Sequence, residues 1–507
     1  MAFLSEGRPR TILAMSSSPG YPRMLTIGVL GNVGSGKTAL LQKLANWWQT
    51  QGRQVEGFLA IASVRAPGAA GAPRYDLEML NGGKRFSYAV RDESLHPPYR
   101  FDETAASTLN LWADGLERGK APSLMIIDEF GPVEADGGGH VSLWSRILGA
   151  KPEVLAVAVR KGLEGAIQTR LGTQFDVLID VDSPGAWESL RQACVAHSDW
   201  MRIGLYGGGA GGFEASVGAI LHGVRMPLRG LFMASTQSAI MTYAAHGLGH
   251  RRRVVWVAFI AASLKALSPT GDRLRPMLAI TLQGLLFGGS ITLAGWNIVG
   301  AAMGGFLIGV WSAIQGVALQ YLFVGSDVIR AYDSAIQWIA KQLSVGSLGF
   351  LALVFGWSLV CGAVTSGLTV LAWKRREKMP ARLHDAVFKT PKGVILDPKP
   401  ASASGAMRRG VKDILRPLFW MPVLIVVGIT IATGSPLESA LWIIVRAAAV
   451  GFVLFSAVRA FDMHRFIQWL KHRGYWGPAL AYERAVVRIR GEAGTSPKPK
   501  TGPGPSE

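Results

Sequence analysis

The sequence predicts a mostly parallel α/β sheet domain with helices on both faces, fused to an all-α polytopic membrane domain. Three observations carry that fold class. A glycine-rich loop at residues 31–38 follows an apolar run at 24–30, and a second apolar run at 124–127 ends in Asp128 and Glu129. Two later stretches, 276–326 and 342–373, contain no Asp, Glu, Lys or Arg. Strands and helices alternate around the first two features, which argues for parallel strands joined by crossover helices. Each uncharged stretch exceeds the ~20 apolar residues that a bilayer-crossing helix requires.

Residues 1–23 lack an apolar core and read as a disordered N-terminal segment, without a cleavable signal. Residues 24–200 read as a nucleotide-binding domain, with a buried strand at 25–30 and a helix at 38–50. Between strand and helix, Gly31, Asn32, Val33, Gly34, Ser35, Gly36, Lys37 and Thr38 fit G-x-x-x-x-G-K-[ST] at every fixed position. The glycines let successive N–H groups turn inward as an anion nest, so phosphate can sit at the N-terminus of the following helix. Lys37 is expected to reach the terminal phosphates of ATP or GTP, and the Thr38 hydroxyl to take one position on Mg²⁺. Asp128, at the carboxyl end of a neighbouring strand, is expected to approach the Mg²⁺ from the other side. Glu129 is expected to polarise the attacking water as a general base.

The elements between and after these motifs follow from turn chemistry and apolar runs. Residues 74–80 and 84–90 flank Asn81-Gly82-Gly83 and read as a hairpin, because Asn-Gly favours turns with positive φ. After Glu129 come a glycine-rich loop at 136–139, a helix at 141–148 and strands at 154–159 and 175–181. Arg160, Lys161 and Arg170 follow the fourth parallel strand, where each is a candidate to stabilise charge on a transferring phosphoryl group.

These motifs carry a family resemblance. Residues 31–38, then Glu56-Gly57-Phe58-Leu59 with Val64-Arg65, then residues 126–134 from Ile126 to Glu134, together resemble the small P-loop nucleoside-triphosphatases, also called nucleotide phosphatase/kinases. The resemblance implies hydrolysis of nucleoside triphosphates with loose base preference. It also implies that Glu134 belongs to the acidic motif and that the Gly57-Phe58 strand leads into a β-rich insertion. Ala60-Ile61-Ala62-Ser63 departs from the family, which more often has polar or acidic residues ahead of the arginine.

From residue 201 the composition is that of membrane helices. Spans are expected at 203–224, 230–249 and 254–267, two within 276–326, one within 342–373, and a pair at 417–437 and 439–457. The predicted organisation is a six-helix membrane domain at 201–373, a basic cytoplasmic linker at 374–416 and a two-helix hairpin at 417–457. A basic cytoplasmic tail at 458–507 follows, disordered at its Pro-rich end. With the nucleotide domain in the cytoplasm, this count puts the basic clusters 250–253 and 374–378, the linker and the tail inside, and leaves Arg225, Arg229, Arg273 and Arg275 outside. Residues 327–343 are expected to form an outer amphipathic segment, with Ile329, Tyr332, Ile336 and Ile339 on one face. The predicted location is the cytoplasmic (inner) membrane, multi-pass, with the C-terminus in the cytoplasm.

The net charge of +19 is largely a consequence of this layout, because the basic residues flank spans where anionic headgroups attract them. A lipid bilayer is therefore the expected partner of the positive charge, and no nucleic acid is expected. Cys194 and Cys361 are too few and too differently placed for a disulfide framework. Within the spans, Glu214, His222, Lys265 and Arg446 are ionisable; function is expected of Glu214, Lys265 and Arg446, whereas His222 reads as structural. The run from Gly207 to Gly212 permits either close helix packing or a re-entrant turn.

The six-span segment has a second resemblance. Residues 265–269, 274–280 and 283–288 resemble the substrate-capture membrane proteins of energy-coupling-factor transport, which implies a bundle that binds a small-molecule solute. A homo-oligomer or separate transporter subunits are then among the expected partners. Unlike that system, this chain carries its own nucleotide domain, and it lacks the L-S-G-G-Q signature. The function expected is nucleotide-driven or nucleotide-gated transport; the alternative is a membrane-anchored nucleoside-triphosphatase or nucleotide kinase.

Overall fold

The computed structural model describes residues 24–62, 74–95, 99–119, 121–223, 228–266, 274–344, 346, 349–388, 403–434 and 436–490. Ser63, Val64 and Arg65, the N-terminal segment 1–23 and the end of the tail at 491–507 lie outside them. The chain divides into two compact units, Met1–Ser198 and Asp199–Glu507.

The strands of the first unit are β1 (Leu25–Gly31), β2 (Val55–Ala62), β3 (Arg74–Met79), β4 (Arg85–Arg91), β5 (Tyr99–Phe101), β6 (Leu124–Phe130), β7 (Val154–Arg160) and β8 (Val177–Asp180). They form one sheet in the order β5-β4-β3-β2-β6-β7-β1-β8. Pairings among β2, β6, β7, β1 and β8 are parallel, and β3, β4 and β5 add an antiparallel edge. The hairpin expected at 81–83 joins β3 to β4, closed by Gly83 N–H donating to the Met79 carbonyl at 3.1 Å.

The helices are α1 (Lys37–Thr50), α2 (Glu103–Arg118), α3 (Pro132–Ala135), α4 (Trp144–Gly149), α5 (Glu164–Leu171) and α6 (Ala186–Gly223), with a 3-10 turn at Gly139–Leu143 where the sequence predicts the start of a longer helix. Strand residues alternate between two cores, as the pleat requires. Leu155, Val157 and Val159 of β7 pack with Leu109, Trp144 and Ile167 on one face. Val154, Ala156 and Ala158 pack with Leu41, Trp48 and Leu190 on the other. Both faces are covered, so the central strands carry no polar side and read as continuous apolar runs.

The second unit starts inside α6 and continues with α7 (Arg229–Gly247), a 3-10 turn (Arg251–Val254), α8 (Val255–Ala266), α9 (Leu274–Ala294), α10 (Ile298–Val324), α11 (Asp327–Gln342) and α12 (Phe350–Lys374). Six more helices follow: α13 (Ala381–Phe388), α14 (Ala403–Ile414), α15 (Pro417–Ala432), α16 (Leu437–Ala460), α17 (Met463–His472) and α18 (Trp476–Arg490). Among the described residues four helices, α9, α10, α12 and α16, are long and apolar enough to cross a membrane. A fifth span results if Met407–Ile414 and Phe419–Ala432, bent by 48°, count as one. Helices occupy all three earlier span positions, but α6 at 203–223 and α7 do not meet the same measure, and α8 at 12 residues is too short for it.

The glycines at 207–212 form no re-entrant turn, because α6 runs through them unbroken. They set its distance to three neighbours instead. Gly204 and Gly208 face α18, where a Cβ at 204 would lie 2.5 Å from the Ala481 carbonyl. Gly207 and Gly211 face Ile260 and Leu264 of α8, and Gly209 faces the Val387 carbonyl of α13. Close approach of backbones is what small residues supply at helix interfaces.

One expectation for this unit is corrected. Arg275 and Arg416 line one cavity of about 110 Å³, together with Gln320, Phe323, Asp413 and Phe455. The beginning of α9 and the end of α14 therefore lie together, whereas the sequence places 273–275 and 374–416 on opposite sides of the membrane. The beginning of the linker behaves otherwise: Arg376 lies near His246 of α7, as do Arg202 and Arg251. The linker thus contains helices α13 and α14 and connects two different ends of the bundle. The segment at 327–343 is the helix α11, and Ile329 and Tyr332 of the expected face pack against the apolar cluster around Phe323 and Val426. Val328, Ala331 and Ala340 are its buried residues, Tyr332 stacks on Phe350 at 5.0 Å, and Ile339 is exposed.

The ionisable residues of the helices divide in the same way. Glu214 of α6 and Lys265 of α8 pair at 3.8 Å, Lys265 buried and Glu214 partly buried. Arg446 is exposed on α16 and packs over the turn at Gly325 that ends α10. The side chain of His222 lies outside the described residues.

Candidate functional site

The loop at residues 31–38 leaves β1 and enters α1 as its pattern demands. Gly34 and Gly36 have φ of 76° and 93°, the left-handed conformations that turn backbone N–H groups into a concave nest. Lys37 is buried at the first position of α1. Its Nζ donates to the Gly31 carbonyl at 3.0 Å and the Asn32 carbonyl at 2.9 Å, so the ammonium is held against the loop. Ser35 Oγ is buried there with no hydrogen-bond partner.

Asp128 lies near the carboxyl end of β6 and is 1 % exposed. Its Oδ2 accepts from Ala60 N–H at 3.1 Å, while Oδ1 has no hydrogen bond of regular geometry. Burial pushes its carboxyl up to about 7; the nearby Thr38 hydroxyl favours the charged form, and Glu129 opposes it. An orphaned, buried carboxylate oxygen beside a threonine hydroxyl suits a hard divalent cation, which takes oxygen ligands. Thr38 and Asp128 are therefore the residues that could hold Mg²⁺. Glu129 is half-buried, and its charge acts on Asp128, Glu134, Tyr75 and Tyr88.

Around this centre the fold fixes the supporting loop through Glu134. Its Oε2 accepts from Gly131 N–H at 2.9 Å and its Oε1 from His140 N–H at 3.4 Å, a network that ties residues 131–140 together. Glu134 is buried, and burial raises its carboxyl above the ordinary value. His140 stacks on Tyr88 at 5.2 Å with its ring against Phe58, and burial lowers its imidazole to about 4. Burial likewise raises the Tyr88 hydroxyl. His140 is thus a neutral aromatic element of the core. Sequence reading missed it because its only signal is contact with strands distant in the chain.

The three basic candidates after β7 separate. Lys161 is paired with Asp180 at 2.6 Å, and Arg170 donates to the Asp136 carbonyl at 2.7 Å. Arg160 stands directly beside Gly31 in the parallel register of β7 and β1, at the mouth of the loop. Of the three, Arg160 is the one placed by the strand register next to the glycine-rich loop.

Residues 26–181 match the family model described as NTPase, which supports the resemblance of the first unit to small P-loop nucleoside-triphosphatases. No curated protein and no solved structure matches the chain.

Proposed function

We propose that this chain is a membrane-integral P-loop nucleoside-triphosphatase whose Mg²⁺-dependent binding and hydrolysis of ATP or GTP drives or gates movement of a small molecule through its helical unit. The observation that carries the hydrolytic part is the unpartnered buried Oδ1 of Asp128 beside Thr38. When bound there, Mg²⁺ would neutralise charge on the β- and γ-phosphate oxygens. Backbone N–H groups of residues 31–38 bind the phosphates, and Lys37 exchanges its two carbonyl partners for phosphate oxygens. Glu129 accepts a proton from water as the water oxygen bonds to the γ-phosphorus and the bond from that phosphorus to the β–γ bridging oxygen breaks, releasing nucleoside diphosphate and phosphate. Arg160 is the candidate to stabilise charge on the transferring group.

Support for transport comes from polar side chains buried between helices of the second unit. Ser238 of α7 and Thr369 of α12 share a hydrogen bond at 2.6 Å, Gln237 and Thr242 are buried alongside on α7, and Glu214 pairs with Lys265. Polar groups enclosed among apolar helices commonly mark solute or ion pathways. The resemblance to six-helix substrate-capture proteins points the same way. A location in the cytoplasmic membrane, with the first unit exposed to cytoplasmic nucleotide, follows from this reading.

A second reading is an anchored nucleoside-triphosphatase or nucleotide kinase with no transport role. It is favoured by the tightness of the α10–α12 contact, where Gly305 faces Thr369 and Gly309 faces the Cys361 carbonyl. Purified full-length protein in liposomes distinguishes the two. Hydrolysis accelerated by one solute, with uptake of that solute lost in Lys37→Ala, supports transport. Hydrolysis indifferent to every solute tested, with none accumulated, leaves the anchored enzyme. Under either reading Lys37→Ala and Asp128→Ala abolish hydrolysis, and turnover in either variant refutes the site.

A further inference from the structure

Among the arginines of the second unit, one group is gathered by the fold from three separate segments. Arg202 comes from α6, Arg251 from the 3-10 turn before α8, and Arg375 and Arg376 directly follow α12. Arg202 donates to the carbonyl of Gly247 at the end of α7. That helix runs alongside α12, where Ser235 meets Thr365 at 3.4 Å and Ser238 meets Thr369 at 2.6 Å, so Arg375 and Arg376 leave α12 at the same end. The charges of Arg202, Arg251 and Arg376 accordingly act on His246. Arg202 donates to the Gly247 carbonyl and Arg376 to the Trp373 carbonyl at 3.0 Å, which fixes both guanidinium groups while leaving most of their five donors unused.

The charge there is only partly compensated. Arg253, two residues from Arg251, is paired with Asp199, which also receives the backbone N–H groups of Gly249 and His250. Among the described residues none of the other four forms an ion pair with a carboxylate, and Glu377 is the one acidic group whose charge reaches His246. Four like charges held within one neighbourhood repel each other, so the arrangement gains from an anion that bridges them.

The surroundings identify which anion. Arg375 and Arg376 begin where a membrane-length helix ends. Arg376 stacks on Trp373 at 4.0 Å and Arg251 on Trp296 at 5.7 Å, and tryptophan concentrates at the level of lipid headgroups. Just before these tryptophans in the chain, Leu293 of α9 and Leu368 and Leu371 of α12 are 85 %, 46 % and 44 % exposed, a surface suited to acyl chains. We propose that Arg202, Arg251, Arg375 and Arg376 form a binding site for the phosphate of an anionic phospholipid headgroup at the membrane boundary of the helical unit. Bidentate guanidinium–phosphate hydrogen bonds supply recognition, and the exposed leucines take the chains.

The test uses delipidated full-length protein in a neutral detergent, with retained lipid counted by native mass spectrometry. Phosphatidylglycerol and phosphatidylcholine of identical chains are titrated separately, and inorganic phosphate is then added as competitor. Phosphatidylglycerol is expected to bind more tightly by at least about tenfold, and Arg375→Gln/Arg376→Gln to weaken it about thirtyfold. A control with the same loss of charge at exposed positions elsewhere, Arg330→Gln/Arg465→Gln, should stay within about threefold of wild type. Should the first double variant not fold, Arg251→Gln alone is expected to weaken phosphatidylglycerol about fivefold, and wild-type affinity in it overturns the proposal. Equal binding of the two lipids, equal losses in both double variants, or displacement of lipid by equimolar phosphate also overturns it, the last by showing a site for a free anion.

Discussion

Asp128→Asn should stabilise the nucleotide-free protein at pH 8 while abolishing hydrolysis. A carboxyl that titrates at about 7 in the folded state and near 3.8 when unfolded holds its proton more tightly when folded. Stability therefore falls as pH rises from 3.8 to 7, and above 7 the full penalty, about 4 kcal/mol, is present. Asparagine cannot ionise and so removes that penalty. It keeps an oxygen to accept from Ala60 N–H, but buries an amide where Oδ1 had no partner, which costs about 1–3 kcal/mol. The first effect wins at pH 8, for a net gain of about 1–3 kcal/mol. At pH 4.5 the ionisation penalty has shrunk to about 1 kcal/mol and the amide cost dominates, so the order reverses. Hydrogen exchange of the β6 and β7 amides in full-length protein, with chelator and without nucleotide, reads this directly as roughly ten- to hundredfold slower exchange in the variant at pH 8. A difference between variant and wild type that is the same at both pH values, or faster exchange in the variant at pH 8, would refute the assignment of Asp128 as a buried, unpartnered carboxylate.

Further predictions concern residues outside the phosphate loop. His140, held neutral with its imidazole at about 4, loses stability on acidification from 6.5 towards 4, because only the unfolded form takes up the proton. His140→Phe should remove about 3 kcal/mol of that acid sensitivity, visible as a smaller drop in melting temperature of full-length protein between pH 7 and pH 4.5. Glu134→Ala leaves Gly131 and His140 N–H groups unpaired and should cost about 1–3 kcal/mol, with faster proteolysis of the 131–140 loop as the readout. Arg459→Ala removes two charge-assisted hydrogen bonds, at 2.8 and 3.1 Å, from the buried Asp413 carboxylate and leaves it Arg416 at 3.4 Å, a loss of about 1–3 kcal/mol. In detergent, the paired change Asp413→Asn/Arg459→Gln should melt above the single variant.

The strand, glycine-rich loop and helix at 25–50 were legible because their information is local. The residues at 31–38 specify the left-handed glycines and the helix start within a few residues of chain, and the runs ending at Leu30 and Ile127 are apolar on both faces because both faces of those strands are covered. The supporting groups were not legible. Asp176, which accepts from Thr26 N–H at 2.9 Å, and His140, which stacks on Tyr88, act across intervals that no local pattern encodes. The start of α6 was hidden for a related reason. Its first half buries Leu190 and Cys194 with β1 and β8, and only its second half has the uniform apolarity that hydropathy detects.

The misplacement of 374–416 follows from how charge is counted along a sequence. Lys412, Asp413 and Arg416 each weigh against burial when taken singly, so residues preceding Pro417 read as an aqueous linker and the second hairpin as beginning at 417. In the fold, Asp413 is 5 % exposed because Arg459 of α16 grips it with two hydrogen bonds, and the pair buries with far less penalty than its members would apart. The segment Met407–Ile414 is thereby free to pack on α16, with Gly410 against Ser456, and to continue through a 48° bend into Phe419–Ala432. Alone, the 16 residues of α15 extend only about 24 Å, short of the hydrocarbon thickness, and joined to α14 they exceed it. An ion pair between residues 46 apart thus lets a stretch whose charges read as linker pack against a membrane-length helix.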